Sequence, residues 1–319
     1  MNNPLISVVM PAYNAENYIE QAISSILNQT YVNIELLIAD DGSTDDTKEK
    51  INLQLANDER VKVFHNQSNI GYLKTCNKLK ALATGDYITF QDADDFSDLK
   101  RLEVLMTKMN EDSTIDVVGS NFCKVLEDGQ IVSTSDHAVS HEQLVDSMPE
   151  TFLFCGASFL LKREVYDNIG GYHEYFDRVG AEDFYWVYLI TEKFKVEIIN
   201  DALYYYRFNP NSVSATAYDK RKLFSVDLVR FLITQRQNTG SDALTNNRLD
   251  LLDARINELN QPYINDKYLF SKKLVQRYFW NGKYRSAYWL AFSILIRNPF
   301  QSKAFYKDIC IYLPKWIKG

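Results

Sequence analysis

The sequence predicts an α/β fold, a sheet covered by helices with a helical extension at the C-terminus, and three observations predict it. Short β-rich apolar runs alternate with helical periodicities as far as residue 91. A polar cluster follows the first, second and fourth of those runs directly, where an open α/β sheet has its ligand crevice. Of 319 residues, 46% are hydrophobic and 24% charged, enough apolar mass for a large core and too little charge for wholesale disorder.

The elements follow in order. Leu5 to Met10 is a β-rich run ended by Pro11, and Asn17 to Leu27 sets Ile19, Ala22, Ile23, Ile26 and Leu27 at helical spacing. Ile34 to Ala39 is a second buried strand. It runs into Asp40-Asp41-Gly42, where glycine permits a sharp turn and Ser43 or Thr44 can cap a helix continuing to Leu55. Val61 to Phe64, Leu73 to Ala83 and Tyr87 to Gln91 give a third strand, a third helix and a fourth strand. Four repeats of this kind imply a parallel sheet, so Pro11-Ala12-Tyr13-Asn14, Asp40-Asp41 and Asp92-Ala93-Asp94 gather along one rim.

The chemistry of that rim is argued partly by exclusion. No Gly-x-Gly-x-x-Gly follows the first strand and no Gly-x-x-x-x-Gly-Lys-Ser/Thr occurs, so phosphates must be held by a metal rather than by a glycine-rich loop. Asp92 and Asp94 alternate beyond the fourth strand and can point at one hard cation. Tyr13 can lie flat on a base, and Asp41 can accept from the imide N–H of uracil, which favours a pyrimidine donor. A half-buried loop ring is the other reading of Tyr13.

Cys76, Cys123, Cys155 and Cys310 form no Cys-x-x-Cys pair, and His65, His137, His141 and His173 share no metal spacing. Neither a disulfide framework nor a zinc site is written here. The start Met1-Asn2-Asn3-Pro4 leads us to expect no secretory signal, and the longest uncharged apolar stretch, Ser286 to Ile296, is short of a membrane span. A cytoplasmic protein is expected, working at the inner face of the cell membrane. From Lys267 to Gly319 eleven Lys and Arg face one acid, Asp308, a net +10 against −17 for residues 1–266. Trp280, Tyr288, Trp289, Phe292 and Trp316 interleave with those bases, which suits an anionic lipid interface or an ordinary helical hairpin with its aromatics inside. Nucleic acid is disfavoured by the acidic remainder.

The motif series resembles family 2 glycosyltransferases of the GT-A fold, a Rossmann-like mixed sheet flanked by helices. Ile6 to Asn14 (ISVVMPAYN), Ser25 to Tyr31 (SILNQTY), Asp40 to Asp45 (DDGSTD), Asn69 to Gly71 (NIG) and Gly85 to Asp95 (GDYITFQDADD) stand in family order and spacing. A weaker series follows: Gly156 to Arg163, Ile169 to Tyr172, Gly180 to Trp186, Tyr206-Arg207 and Asn211 to Ser214. The resemblance implies a domain over residues 1–215, with a helical region over 216–319 that is basic and aromatic from 267. It implies inverting transfer from a nucleotide sugar, usually a UDP-sugar, to a saccharide or lipid-linked acceptor, with Mn2+ or Mg2+ neutralising the departing diphosphate. Asp94 then matches the metal ligand, with Asp92 near ribose or metal. Pro11, Ala12, Tyr13, Asn14, Asp41 and Ala93 match the nucleotide-sugar pocket, and Asp183 matches the catalytic base with Glu182 as its alternate.

The residues themselves fit such a base: displacement at an anomeric carbon requires the acceptor hydroxyl to lose its proton, and a carboxylate in a dry cleft can take it. Two acids opening a helix are also ordinary capping. The chain departs from the family at Asn209, where many relatives carry His, which leaves diphosphate charge to Arg207 or a nearby lysine. It departs again at Thr75-Cys76-Asn77, where Lys74 is the closest cation and a solvated helix lysine is its plain reading. Those departures support an alternative, a non-catalytic nucleotide-sugar binding or scaffolding subunit; nucleotidyl transfer ranks last.

Overall fold

The computed structural model describes residues 3–55, 58–127, 129–151, 154–207, 220–280, 284–300, 303, 305–307 and 309–310. Two compact units divide the chain, Met1–Asn247 and Arg248–Gly319.

In the first unit β1 (Ile6–Ala12) and β2 (Ile34–Asp40) are buried at every position, as unbroken apolar runs covered on both faces must be. α1 (Ile19–Leu27) buries Ile19, Ala22, Ile23 and Ile26 on the same core as β1 and β2. Then come α2 (Thr47–Leu55), β3 (Val61–His65), α3 (Tyr72–Leu82) and β4 (Tyr87–Phe90), and β1 pairs in parallel with both β2 and β4 while β2 pairs with β3. The expected parallel half of the sheet is therefore present.

The second half is mixed. Behind β5 (Phe96–Ser97) and α4 (Arg101–Glu111) come β6 (Val117–Val125), β7 (Ile131–Thr134), α5 (His141–Ser147), β8 (Leu160–Lys162) and α6 (Arg163–Ile169). α7 (Glu182–Thr191), β9 (Val196–Arg207) and α8 (Lys220–Thr239) complete the unit. The sheet order is β3-β2-β1-β4-β8-β6-β9-β5, with β8 antiparallel to β4 and β6, and β6 parallel to β9. Strand β9 thereby reaches the rim where β4 ends, which no local pattern announces.

Several motif residues turn out to hold the frame. Gln29 accepts from the Leu102 N–H and donates to the Asp98 carbonyl, and Tyr31 donates to the Pro4 carbonyl. Glu35, buried in β2, is held by Ser7, Thr84 and Lys62. Burial raises this carboxyl, but the Lys62, Ser7 and Thr84 hydrogen bonds outweigh it and hold it at about 2.

The helical extension expected from residue 216 is divided: α8 belongs to the first unit, where Arg236 pairs with Glu192 and Asp242, and Tyr185 of α7 donates to Asp242. The second unit holds α9 (Leu249–Asn265), α10 (Leu269–Trp280) and α11 (Tyr284–Arg297), with Val275, Phe279, Ala287, Ala291, Ile294 and Phe305 as its core. No helix among the described residues is long and apolar enough to cross a membrane.

Candidate active site

The carboxyl ends of β1 and β2 are laced together by the residues that the sequence marks there. Asn14, at a positive φ of 48°, accepts from the Thr44 N–H, while its own N–H donates to Ser43 Oγ. Ser43 and Thr44 therefore tie loops rather than cap α2, which starts at Thr47 with Asp45 accepting from its N–H. Asp41 is buried, and its carboxylate takes hydrogen bonds from the Ile70 and Gly71 N–H groups and from Asn66. The sequence reading turns Asp41 towards a base; the structure turns it to the 66–71 loop, whose amides it accepts from. Asp40 sits beside it with His65 Nδ1 at 3.6 Å. Pro11 and Ala12 are buried within β1, so only their backbone borders the rim, whereas Tyr13 is 47% exposed.

Past β4 the chain turns through Asp92, Ala93 and Asp94, with the Asp95 N–H donating to the Asp92 carbonyl. The two acids stand in a turn rather than alternating along a strand, and both are half-buried. Tyr204 of β9 stitches this turn down: its hydroxyl accepts from the Asp92 N–H at 3.1 Å and donates to Asp95 at 2.9 Å. Tyr72, opening α3, donates to Asp92 at 3.0 Å. Burial raises the Asp92 carboxyl, and the charge of Asp94 raises it further. Asp95, fully interior, is raised by the same two causes.

α7 delivers Glu182 and Asp183 to this cleft. The loop before it is strained: Arg178 and Ala181 are non-glycine residues in the left-handed region, at φ 58° and 66°, and Gly180 stands at 88°. That kink starts the helix at Glu182, with the Asp183 carboxylate accepting from the Phe184 N–H. Gly156 makes room for it, since a Cβ there would meet Asp183 Oδ2 at 2.8 Å. Both acids keep some solvent access yet are surrounded by enough protein that burial pushes their carboxyls up.

Close to the acid pair lies Lys80, which sequence reasoning missed. The side chain is fully buried, with its Nζ 3.0 Å from the Tyr172 ring centroid, 4.5 Å from Trp186 and 5.3 Å from Phe90, and without a hydrogen-bond partner among the described residues. Burial drops this ammonium to about 7, while Cys76, Glu182 and Asp183 pull it the other way. Its only sequence signal is a lysine on the apolar face of α3, one turn after Cys76. Tyr72 and Tyr204 carried no signal at all, because their partners are distant along the chain.

Two expectations need correction. Arg207 is not an open cation for diphosphate: it is 4% exposed, and its guanidinium donates to the carbonyls of Asp94 and Glu127 and to Gln21. It clamps the acidic turn to β9. Lys74 is paired with Asp177 at 2.9 Å. Gly171 belongs to the protein's own packing as well: a Cβ there would strike Asn77 Oδ1 at 2.4 Å, and Asn77 clamps Tyr172 through both backbone groups. Asn209 and Asn211 to Ser214 lie outside the described residues.

The glycosyl transferase family 2 model matches residues 7–170. The chain belongs to that family. It is a glycosyltransferase by family. Glycosyltransferase GlyG of Streptococcus pneumoniae is 30% identical over 229 residues, 67% of this chain and 74% of that protein. An uncharacterised glycosyltransferase of Haemophilus influenzae is 47% identical over 138 residues, 42% of this chain and 55% of the relative. S. aureus TarS, solved with UDP-GlcNAc, superposes with a TM-score of 0.58 at 22% identity over 72% of this chain and 66% of that one, which shows the GT-A fold. The chain thus spans only part of the length of some relatives that it matches.

Proposed function

We propose that this family 2 glycosyltransferase moves a sugar from a nucleotide donor, a UDP-sugar, to a saccharide or lipid-linked acceptor in surface-polysaccharide synthesis, with Asp183 as the base. The observation that carries the reading is the convergence of the Asp92–Asp95 turn and the Glu182-Asp183 pair in one cleft, where these carboxyls raise one another's proton affinity. This concentration of carboxyls suits a divalent ion, Mn2+ or Mg2+, and Asp94 with Asp92 would be its protein ligands. Among the described residues no three His, Cys, Asp or Glu side chains form a complete cage, so diphosphate oxygens and water would supply the remaining positions. When bound, the ion offsets the charge of the leaving diphosphate.

The protein's own groups do the rest. Tyr13, exposed at the rim, stacks on the base, and the backbone of Pro11, Ala12 and Ala93 shapes the pocket. The acceptor hydroxyl gives its proton to an Asp183 oxygen as its own oxygen bonds to the anomeric carbon. The bond from that carbon to the diphosphate breaks on the opposite face. A half-desolvated carboxylate at a helix start suits this, being more basic than a solvated one while its second oxygen is fixed by the Phe184 N–H. TarS is solved with UDP-GlcNAc, which supports a UDP donor. Titration calorimetry with UDP and a transfer assay over a panel of UDP-sugars test the reading together: Asp183→Asn should abolish transfer and retain UDP binding. Unchanged turnover moves the base elsewhere, and full activity in Asp94→Ala removes the metal role.

A further inference from the structure

α11 buries one face and leaves another bare. Ala287, Ala291 and Ile294 pack into the core of the second unit, where Phe279 meets Tyr288 edge-on at 5.0 Å. On another face Arg285, Trp289, Phe292 and Ile296 recur at spacings of four, three and four residues, a single helical stripe. Trp289 is 75% exposed, Phe292 65% and Ile296 66%, and Phe300 just beyond the helix is 94% exposed. Folding has thus satisfied the hairpin's inner aromatics without using these four side chains.

Large apolar groups left in water on one stripe need a partner. The charges around them say which. Arg285 lies on the stripe and Arg297 at its end, both exposed, with exposed Lys303 and Lys307 following in the same segment. From Lys267 onwards the sequence holds one acid, while residues 1–266 carry −17. Arg285 and Trp289 also line a cavity of about 500 Å³ with Leu274, Tyr278, Ser286 and Leu290, so cationic and apolar groups share one surface. A headgroup layer over acyl chains needs both.

We propose that the Arg285–Trp289–Phe292–Ile296 face of α11 docks on an anionic lipid bilayer, lying in the plane of the interface with its aromatic side chains among the upper acyl chains. The cations contact headgroup phosphates, and the apolar stripe supplies the part of the binding that salt does not screen. This inference goes beyond the catalytic reading and does not depend on it.

Vesicle cosedimentation of the full chain tests it, using phosphatidylcholine alone and phosphatidylcholine with phosphatidylglycerol. Binding is expected to the anionic vesicles and to weaken as salt is added. Each of Arg285→Gln and Arg297→Gln should lower the partition coefficient about fivefold. The triple variant Trp289→Ser, Phe292→Ser, Ile296→Ser should lower it more than tenfold, as about 25 cal/mol per Å2 of apolar surface requires. Its buried face is untouched, and an unchanged circular dichroism spectrum will show that it folds. Thermal protection by UDP-sugars, measured on the same variants, should not move; its loss would indict the active site or the fold rather than the docking face. Undiminished vesicle binding by the folded triple variant overturns the proposal. So does self-association that the triple variant abolishes while wild-type protein ignores anionic vesicles, an outcome that assigns the face to a second copy.

Discussion

Replacing Lys80 by Met removes a buried charge without changing length, and the structure sets the size of the effect. Burial lowers the Lys80 ammonium from 10.5 to about 7. At about 1.4 kcal/mol for each pH unit, that depression is about 5 kcal/mol against the charged form. The Tyr172 and Trp186 rings beside Nζ return about 2 kcal/mol, leaving about 3 kcal/mol. Lys80→Met should therefore be more stable by about 3 kcal/mol at pH 6, where both folded and unfolded wild type carry the proton. The folded value lies below the unfolded one, so above pH 7 the unfolded chain binds more protons and wild-type stability rises; the gap between the two proteins should close towards pH 10.5. Activity should move the other way. Lys80 lowers the proton affinity of Glu182 and Asp183, so its loss should shift the acid limb of the rate profile to higher pH. Urea unfolding at pH 6 and 9.5, with initial rates across pH, measures both effects. A variant no more stable than wild type at pH 6, or with an unmoved acid limb, would refute the reasoning.

Gly156→Ala should lower transfer about a hundredfold by displacing Asp183 Oδ2, with little change in UDP affinity, measured by steady-state kinetics and calorimetry. Glu35→Gln should destabilise the protein by about 3 kcal/mol at pH 7. Because the Glu35 carboxyl is held below its unfolded value of 4.5, that stability is present above pH 4.5 and disappears as pH falls through about 2, which acid titration of the circular dichroism signal will follow. Arg207→Lys cannot make the same set of hydrogen bonds and should cost about 3 kcal/mol in urea unfolding. The salt dependence of nucleotide binding should not change, since the guanidinium faces protein rather than phosphate.

The chain by itself determined the parallel half of the fold and the position of each acid along the rim. Runs such as Ile6–Ala12 and Ile34–Asp40 can be satisfied only by a strand buried on both faces, and a strand's end is a local event. The family motifs carried the rest of that reading as far as the acids of α7. What surrounds those acids was settled in three dimensions. Arg207 reads as a ligand for phosphate until β9 is seen to run beside β6 and present it to the carbonyl of Asp94. Lys80 goes unremarked until three aromatic rings, from the stretches around residues 90, 172 and 186, close over it. The electrostatics of a site depend on distances between groups far apart in sequence and on the water that folding removes from around them. Residue identity encodes neither; a fold supplies both at once.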